Sequence, residues 1–108
     1  MRKRAAIVAA LALSACGEPV PQEKAAYVGE WRGENMALAI SQDGRVAYKR
    51  VKGSASTSVD APIQRFEGDS FVVGVAFMST RFEVSRAPWQ DAGHWKMVVD
   101  GVELTKVR

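Results

Sequence analysis

The sequence predicts an all-β fold: a small antiparallel up-and-down barrel or strongly curled meander of seven or eight short strands, with a two-sheet sandwich as the alternative. Three observations predict it. Asp43-Gly44 and Asp100-Gly101 each separate two runs in which apolar and polar or small residues alternate, the pattern of a hairpin whose turn needs positive φ at both central residues. Further alternating runs fill the middle of the chain. No stretch carries helical periodicity beyond a short turn before Gly29.

The elements follow in order. Met36, Leu38 and Ile40 alternate with Ala37, Ala39 and Ser41, and after Asp43-Gly44 the pattern resumes with Val46 and Tyr48. Residues 53–60, rich in Ser and Thr, fit either a loop or an edge strand. A strand over 63–66 leads to a turn at Glu67-Gly68-Asp69-Ser70. Phe71, Val73, Val75 and Phe77 then line one face of a strand whose other face, Val72, Gly74 and Ala76, is unusually apolar for solvent. A strand covered on both sides reads this way. Phe82 and Val84 continue the alternation. Ala87-Pro88 and Asp91-Ala92-Gly93 mark a longer loop, and Trp95, Met97 and Val99 form the strand before Asp100-Gly101. Val102 and Leu104 close the pattern. Sequential hairpins order strands by neighbour, which favours the up-and-down topology.

The first sixteen residues carry a different signal. Arg2-Lys3-Arg4 is followed by an apolar stretch from Ala5 to Ala15 and then by Cys16, the one cysteine in the chain. Eleven apolar residues are too few to span a bilayer, which takes roughly 20. The order of a basic start, an apolar run and small residues fits a secretory signal. With Leu13-Ser14-Ala15-Cys16 and Gly17 after it, the segment resembles the signal peptide and lipobox of bacterial lipoproteins. That resemblance implies cleavage between Ala15 and Cys16 and a lipid on the Cys16 sulfur. It also implies a cell-envelope location: Gly17 in place of Asp favours the outer membrane, facing the periplasm. Two or three acyl chains on one residue give stable anchoring where a single chain does not. The division expected is a cleaved signal over 1–15, a lipidated flexible tether over 16–26 held extended by Pro19 and Pro21, and a barrel domain over 27–108.

Charge follows from that division. The full chain has fifteen Lys and Arg against twelve Asp and Glu. Three of the fifteen lie in residues 1–15, so the remainder carries twelve of each and is neutral. A basic footprint for nucleic acid is therefore missing, and no nucleic-acid partner is expected. No disulfide can form from one cysteine. Stability rests on packing, for which three Trp, four Phe and two Tyr are available.

Gly29-Glu30-Trp31 resembles the Gly-x-Trp that opens the first strand of lipocalins and small lipocalin-like barrels. The resemblance implies a tight entry at Gly29, a barrel-closing Trp31, and Lys106 or Arg108 stacked on its ring. At 82 residues, 27–108 is short for a ligand carrier. Trp31, Tyr48, Phe71, Phe77, Phe82 and Trp95 are all expected inside, which favours a filled barrel.

Catalytic signals are sparse. His94 is the one histidine; a metal site needs several ligands, and alternation places His94 opposite Trp95 and Met97, on the outside. Ser54, Ser56 and Ser58 lack the context of a nucleophile elbow. No glycine-rich phosphate loop precedes a helix. No catalytic residue, metal or cofactor is assigned, and the chain is not read as an enzyme. Lys49-Arg50-Val51-Lys52 reads as solvated edge charge, which also discourages strand-to-strand aggregation. The expected function is a membrane-anchored, non-catalytic module that binds or scaffolds an envelope protein, glycan or lipid. Trp89, in a loop over 88–93, and His94 are the candidate surface contacts. The alternative is a carrier of a small apolar ligand inside the barrel.

Overall fold

The computed structural model describes residues 19–108. The sequence-predicted signal, Ala15 and Cys16 lie outside them. Nine antiparallel strands form one strongly curled sheet: β1 (Gly29–Gly33), β2 (Met36–Ile40), β3 (Arg45–Lys52), β4 (Ala55–Glu67), β5 (Ser70–Val75), β6 (Met78–Phe82), β7 (Val84–Asp91), β8 (His94–Val99) and β9 (Val102–Lys106). Their order is β6-β5-β4-β3-β2-β1-β9-β8-β7. Every consecutive pair of strands except β6 and β7 thus lies side by side, and β1 also pairs with β9, Trp31 opposite Lys106. The meander is up-and-down, with a seam left between β6 and β7. Glu83 alone joins those two edge strands. The Glu83 N–H donates to Asp100 Oδ1 at 2.9 Å and the Val84 N–H to Ser70 Oγ at 2.9 Å, so the seam is pinned at one end by side chains rather than by a ladder.

One sheet, rather than two packed sheets, disposes of the sandwich, and nine strands replace the seven or eight expected. The run over 71–77 ends sooner than its alternation suggests. The chain turns at Ala76 and Phe77, with Val75 paired to Met78, and Ala76 adopts φ 53°. Phe77 therefore points away from the interior to which its alternation assigned it and is 92 % exposed. The undecided stretch over 53–60 is strand: β4 pairs with β3 from Lys52↔Ala55 to Arg45↔Pro62. Its first residues are solvated on both faces, so no apolar period marks them. The expected loop over 88–93 is also mostly strand. Pro88 is tolerated because β7 is an edge, and register shifts between Val84 and Arg86 and between Arg86 and Trp89 absorb the irregular stretch.

Both Asp-Gly turns form, in different ways. Asp100 (φ 48°) and Gly101 (φ 82°) are both left-handed, as expected. At the other, only Gly44 (φ 91°) is. There the Gly44 N–H donates to the Ser41 carbonyl at 3.0 Å and the Ser41 N–H to the Arg45 carbonyl at 2.9 Å. This is the three-residue alternative, a turn followed by a left-handed glycine.

The interior is filled by inward-facing residues of the strands: Trp31, Met36, Leu38, Ile40, Val46, Tyr48, Ile63, Phe71, Val73, Phe82, Val84, Met97, Val99 and Leu104 are all buried. An aromatic chain crosses it. Tyr48 meets Phe82 edge-on at 4.8 Å, Phe82 stacks on Phe71 at 5.3 Å, and Tyr27 meets Phe66 edge-on at 5.4 Å. Such pairs contribute about 0.5–1.5 kcal/mol each beyond the area they bury.

The folded body begins earlier than residue 27. Val20 is 3 % exposed and belongs to the core. Its N–H donates to the Gln42 carbonyl at 3.0 Å, and Gln42 Nε2 donates back to the Val20 carbonyl at 3.1 Å. A short 3-10 segment, Gln22–Tyr27, follows and is tied to the β4–β5 turn. Tyr27 Oη donates to the Asp69 carbonyl at 2.7 Å and Lys24 Nζ to the Gly68 carbonyl at 2.8 Å. The tether expected over 16–26 is therefore taken up by the fold from Val20 onward.

Candidate binding surface

The Gly29–Trp31 corner is built as a structural closure. A Cβ on Gly29 would lie 2.7 Å from the Arg108 carbonyl oxygen, so the close approach of the two chain segments requires glycine there. Trp31 is fully buried, and its Nε1–H donates to the Tyr27 carbonyl at 2.9 Å. Lys106 Nζ sits 5.1 Å from the Trp31 ring centre and 5.5 Å from that of Trp95. Of the two cations expected over Trp31, Lys106 is the one in place; Arg108 instead pairs with Glu30 at 3.5 Å. Burial pushes the Lys106 ammonium below its ordinary pKa. Its ammonium lies over the two rings as a cation–π contact.

Trp89 lies on β7, one of the two edge strands, opposite Lys96. The Arg86 guanidinium stacks on its ring at 3.7 Å. Lys96 Nζ bonds Glu103 at 3.3 Å and Thr105 Oγ1 at 3.2 Å. His94 is exposed and opens β8 opposite Asp91. Register puts it two residues along β8 from Lys96, on the same outer face. The two predicted surface residues thus share one face of the β7–β8 hairpin, but a lysine separates them. What they form is a planar aromatic–guanidinium stack at a sheet edge with exposed polar groups beside it. That arrangement can take a flat or extended partner by stacking and edge hydrogen bonding. It has no nucleophile–base pair.

The surface holds open clefts. One has a volume of about 570 Å³ between the β1–β2 and β8–β9 turns, lined by Asn35, Lys52, Gly101 and Glu103. Another runs over Ala37, Ala39 and Ala47, between Glu30 and Arg32 on one side and Ser58 and Asp60 on the other. Among the described residues no group of three His, Cys, Asp or Glu stands close enough to hold a metal ion, and no helix is long and apolar enough to cross a membrane.

Sequence reasoning missed one surface feature. Val75 is 59 %, Phe77 92 % and Met78 65 % exposed, an apolar tip on the β5–β6 hairpin. The signal was the doubly apolar run over 71–77, which alternation assigned to a covered strand. No protein-family model, curated protein or solved structure matches this chain.

Proposed function

We propose that this chain is a lipid-anchored, non-catalytic binding or scaffolding module of the bacterial envelope, held at the outer membrane facing the periplasm. It meets its partner with the outside of the barrel. The anchor rests on Leu13-Ser14-Ala15-Cys16 and the segment before it. The observation that carries the outward reading is the interior: Trp31, Leu38, Ile63, Phe71, Phe82, Met97 and Leu104 are fully buried against one another. Burial of these side chains supports recognition by the outside of the sheet over carriage of a ligand within it. Recognition then falls to the wall and edges, where the Arg86–Trp89 stack is the most developed feature.

Wild-type and Trp89→Ala protein, each lipidated and in detergent, are incubated with isolated peptidoglycan and with purified outer-membrane protein fractions. Retention of the wild type on one of them, weakened several-fold by Trp89→Ala, supports the reading. Retention on neither, together with stoichiometric uptake of a fluorescent fatty acid, replaces it with the carrier.

A further inference from the structure

We propose that the tip of the β5–β6 hairpin, residues 75–78, lies in the interfacial layer of the same bilayer that holds the lipid of Cys16; the inference rests on the anchor reading above. The tip is apolar and displayed. Phe77 is almost wholly exposed, with Val75 and Met78 beside it. No charged residue occurs from Ser70 to Thr80, so the hairpin can approach hydrocarbon without stripping water from an ion. Apolar residues of this kind bind the boundary between headgroups and acyl chains in proportion to the area they bury.

Its position selects the bilayer as occupant. Gln64 Nε2 donates to the Ala76 carbonyl at 3.2 Å. Gln64 also lines an open cleft with Pro19 and Pro21. One side chain therefore connects the hairpin tip to the place where the N-terminal segment joins the body. Val20 is fixed in the core, so only residues 17–19 separate the anchored cysteine from the fold. The four steps from Cys16 to Val20 reach at most about 14 Å at ~3.6 Å each, against a headgroup layer of roughly 5–8 Å per leaflet. The barrel is thus held against the membrane rather than suspended above it, with the exposed apolar tip beside the point of attachment. The contact is apolar rather than electrostatic in origin. Arg65 on β4 and Arg81 on β6 are both bonded to Glu67, at 2.7 and 3.0 Å.

The test uses the thiol chemistry of the chain itself. Once Cys16 is a thioether, an added cysteine is the one thiol in the protein. Met78→Cys and, at the far β3–β4 turn, Ser54→Cys are labelled with an environment-sensitive dye. The lipidated proteins are reconstituted in phosphatidylethanolamine–phosphatidylglycerol vesicles with or without brominated lipid. The expected result is a blue shift and several-fold stronger bromine quenching at 78 than at 54, little changed by 0.5 M salt and reduced by Phe77→Asp. Equal, water-like signals at both sites overturn the proposal while the anchor stands, as flotation and an unreactive wild-type thiol would show. A blue shift at 78 that needs no vesicles and grows with protein concentration assigns the tip to a second copy and also overturns it. A reactive wild-type thiol and loss of flotation remove the anchor reading and the proposal together.

Discussion

Replacing Tyr27 by Phe should make the protein less stable at neutral pH and more stable in alkali. Tyr27 is 3 % exposed, and its hydroxyl donates to the Asp69 carbonyl at 2.7 Å, tying the 3-10 segment to the β4–β5 turn. A hydrogen bond of this kind contributes about 1 kcal/mol net, so at pH 8 Tyr27→Phe is expected to lose roughly that amount. Burial, and secondarily the Asp69 carboxylate, push the phenol from 10.0 up to about 12. The unfolded chain therefore releases this proton near pH 10, whereas the folded chain keeps it. Stability contributed by the neutral phenol is fully present below pH 10 and drains away as pH rises toward 12. Integrated to pH 11.5, the loss is about 2 kcal/mol for wild type and zero for the variant. The difference should change sign, from about 1 kcal/mol in favour of wild type to about 1 kcal/mol in favour of Tyr27→Phe. Urea titrations of both proteins at pH 8 and 11.5, followed by far-UV circular dichroism, measure it. A constant offset at the two pH values would refute the claim that the phenol is buried and held neutral.

Trp31→Ala should cost about 3–5 kcal/mol, the range for emptying a buried aromatic site. It also strips Lys106 of one of its two rings, and the melting temperature reads the loss. Gly74 has φ 150°, and a Cβ there would run into the Met78 carbonyl oxygen and the Ser79 backbone. Gly74→Ala is therefore expected to speed amide exchange across residues 78–82 while β1, β2 and β9 stay protected; uniform protection would count against that packing. Hydrogen bonds from Arg81 and Arg65 hold the Glu67 carboxyl below its ordinary range. Its contribution is present above the unfolded carboxylate pKa and lost as pH falls through the folded one. Glu67→Gln should thus narrow its stability gap to wild type between pH 7 and pH 3.

The barrel-like sheet was legible because period-2 alternation and Asp-Gly turns act locally, and both recur here. Asp100-Gly101 needed nothing beyond its own two residues. Other features depend on what lies opposite. Alternation through residues 71–77 says which side a residue faces but not where the strand stops, and Ala76-Phe77 carries no turn-forming residue to mark the end. Ser56, Thr57 and Ser58 sit beyond the core, so burial imposes no pattern on them. Pro88 argues for a loop until β7 is known to be an edge. Val20 is a single apolar residue between two prolines, and its burial is fixed by Gln42, 22 positions away. At the candidate surface, alternation placed His94 outside and an expected loop displayed Trp89, whereas the Arg86 stack depends on register shifts no local rule reports. The Lys106–Trp31 contact came from a family resemblance, and its geometry is now explicit.

The intact mass of the protein extracted from bacterial membranes tests the central claim most directly. The account predicts a chain beginning at Cys16, heavier than residues 16–108 by a diacylglyceryl group, with or without one further acyl chain. A chain that retains residues 1–15, or a bare Cys16 thiol on protein recovered in the soluble fraction, would contradict it.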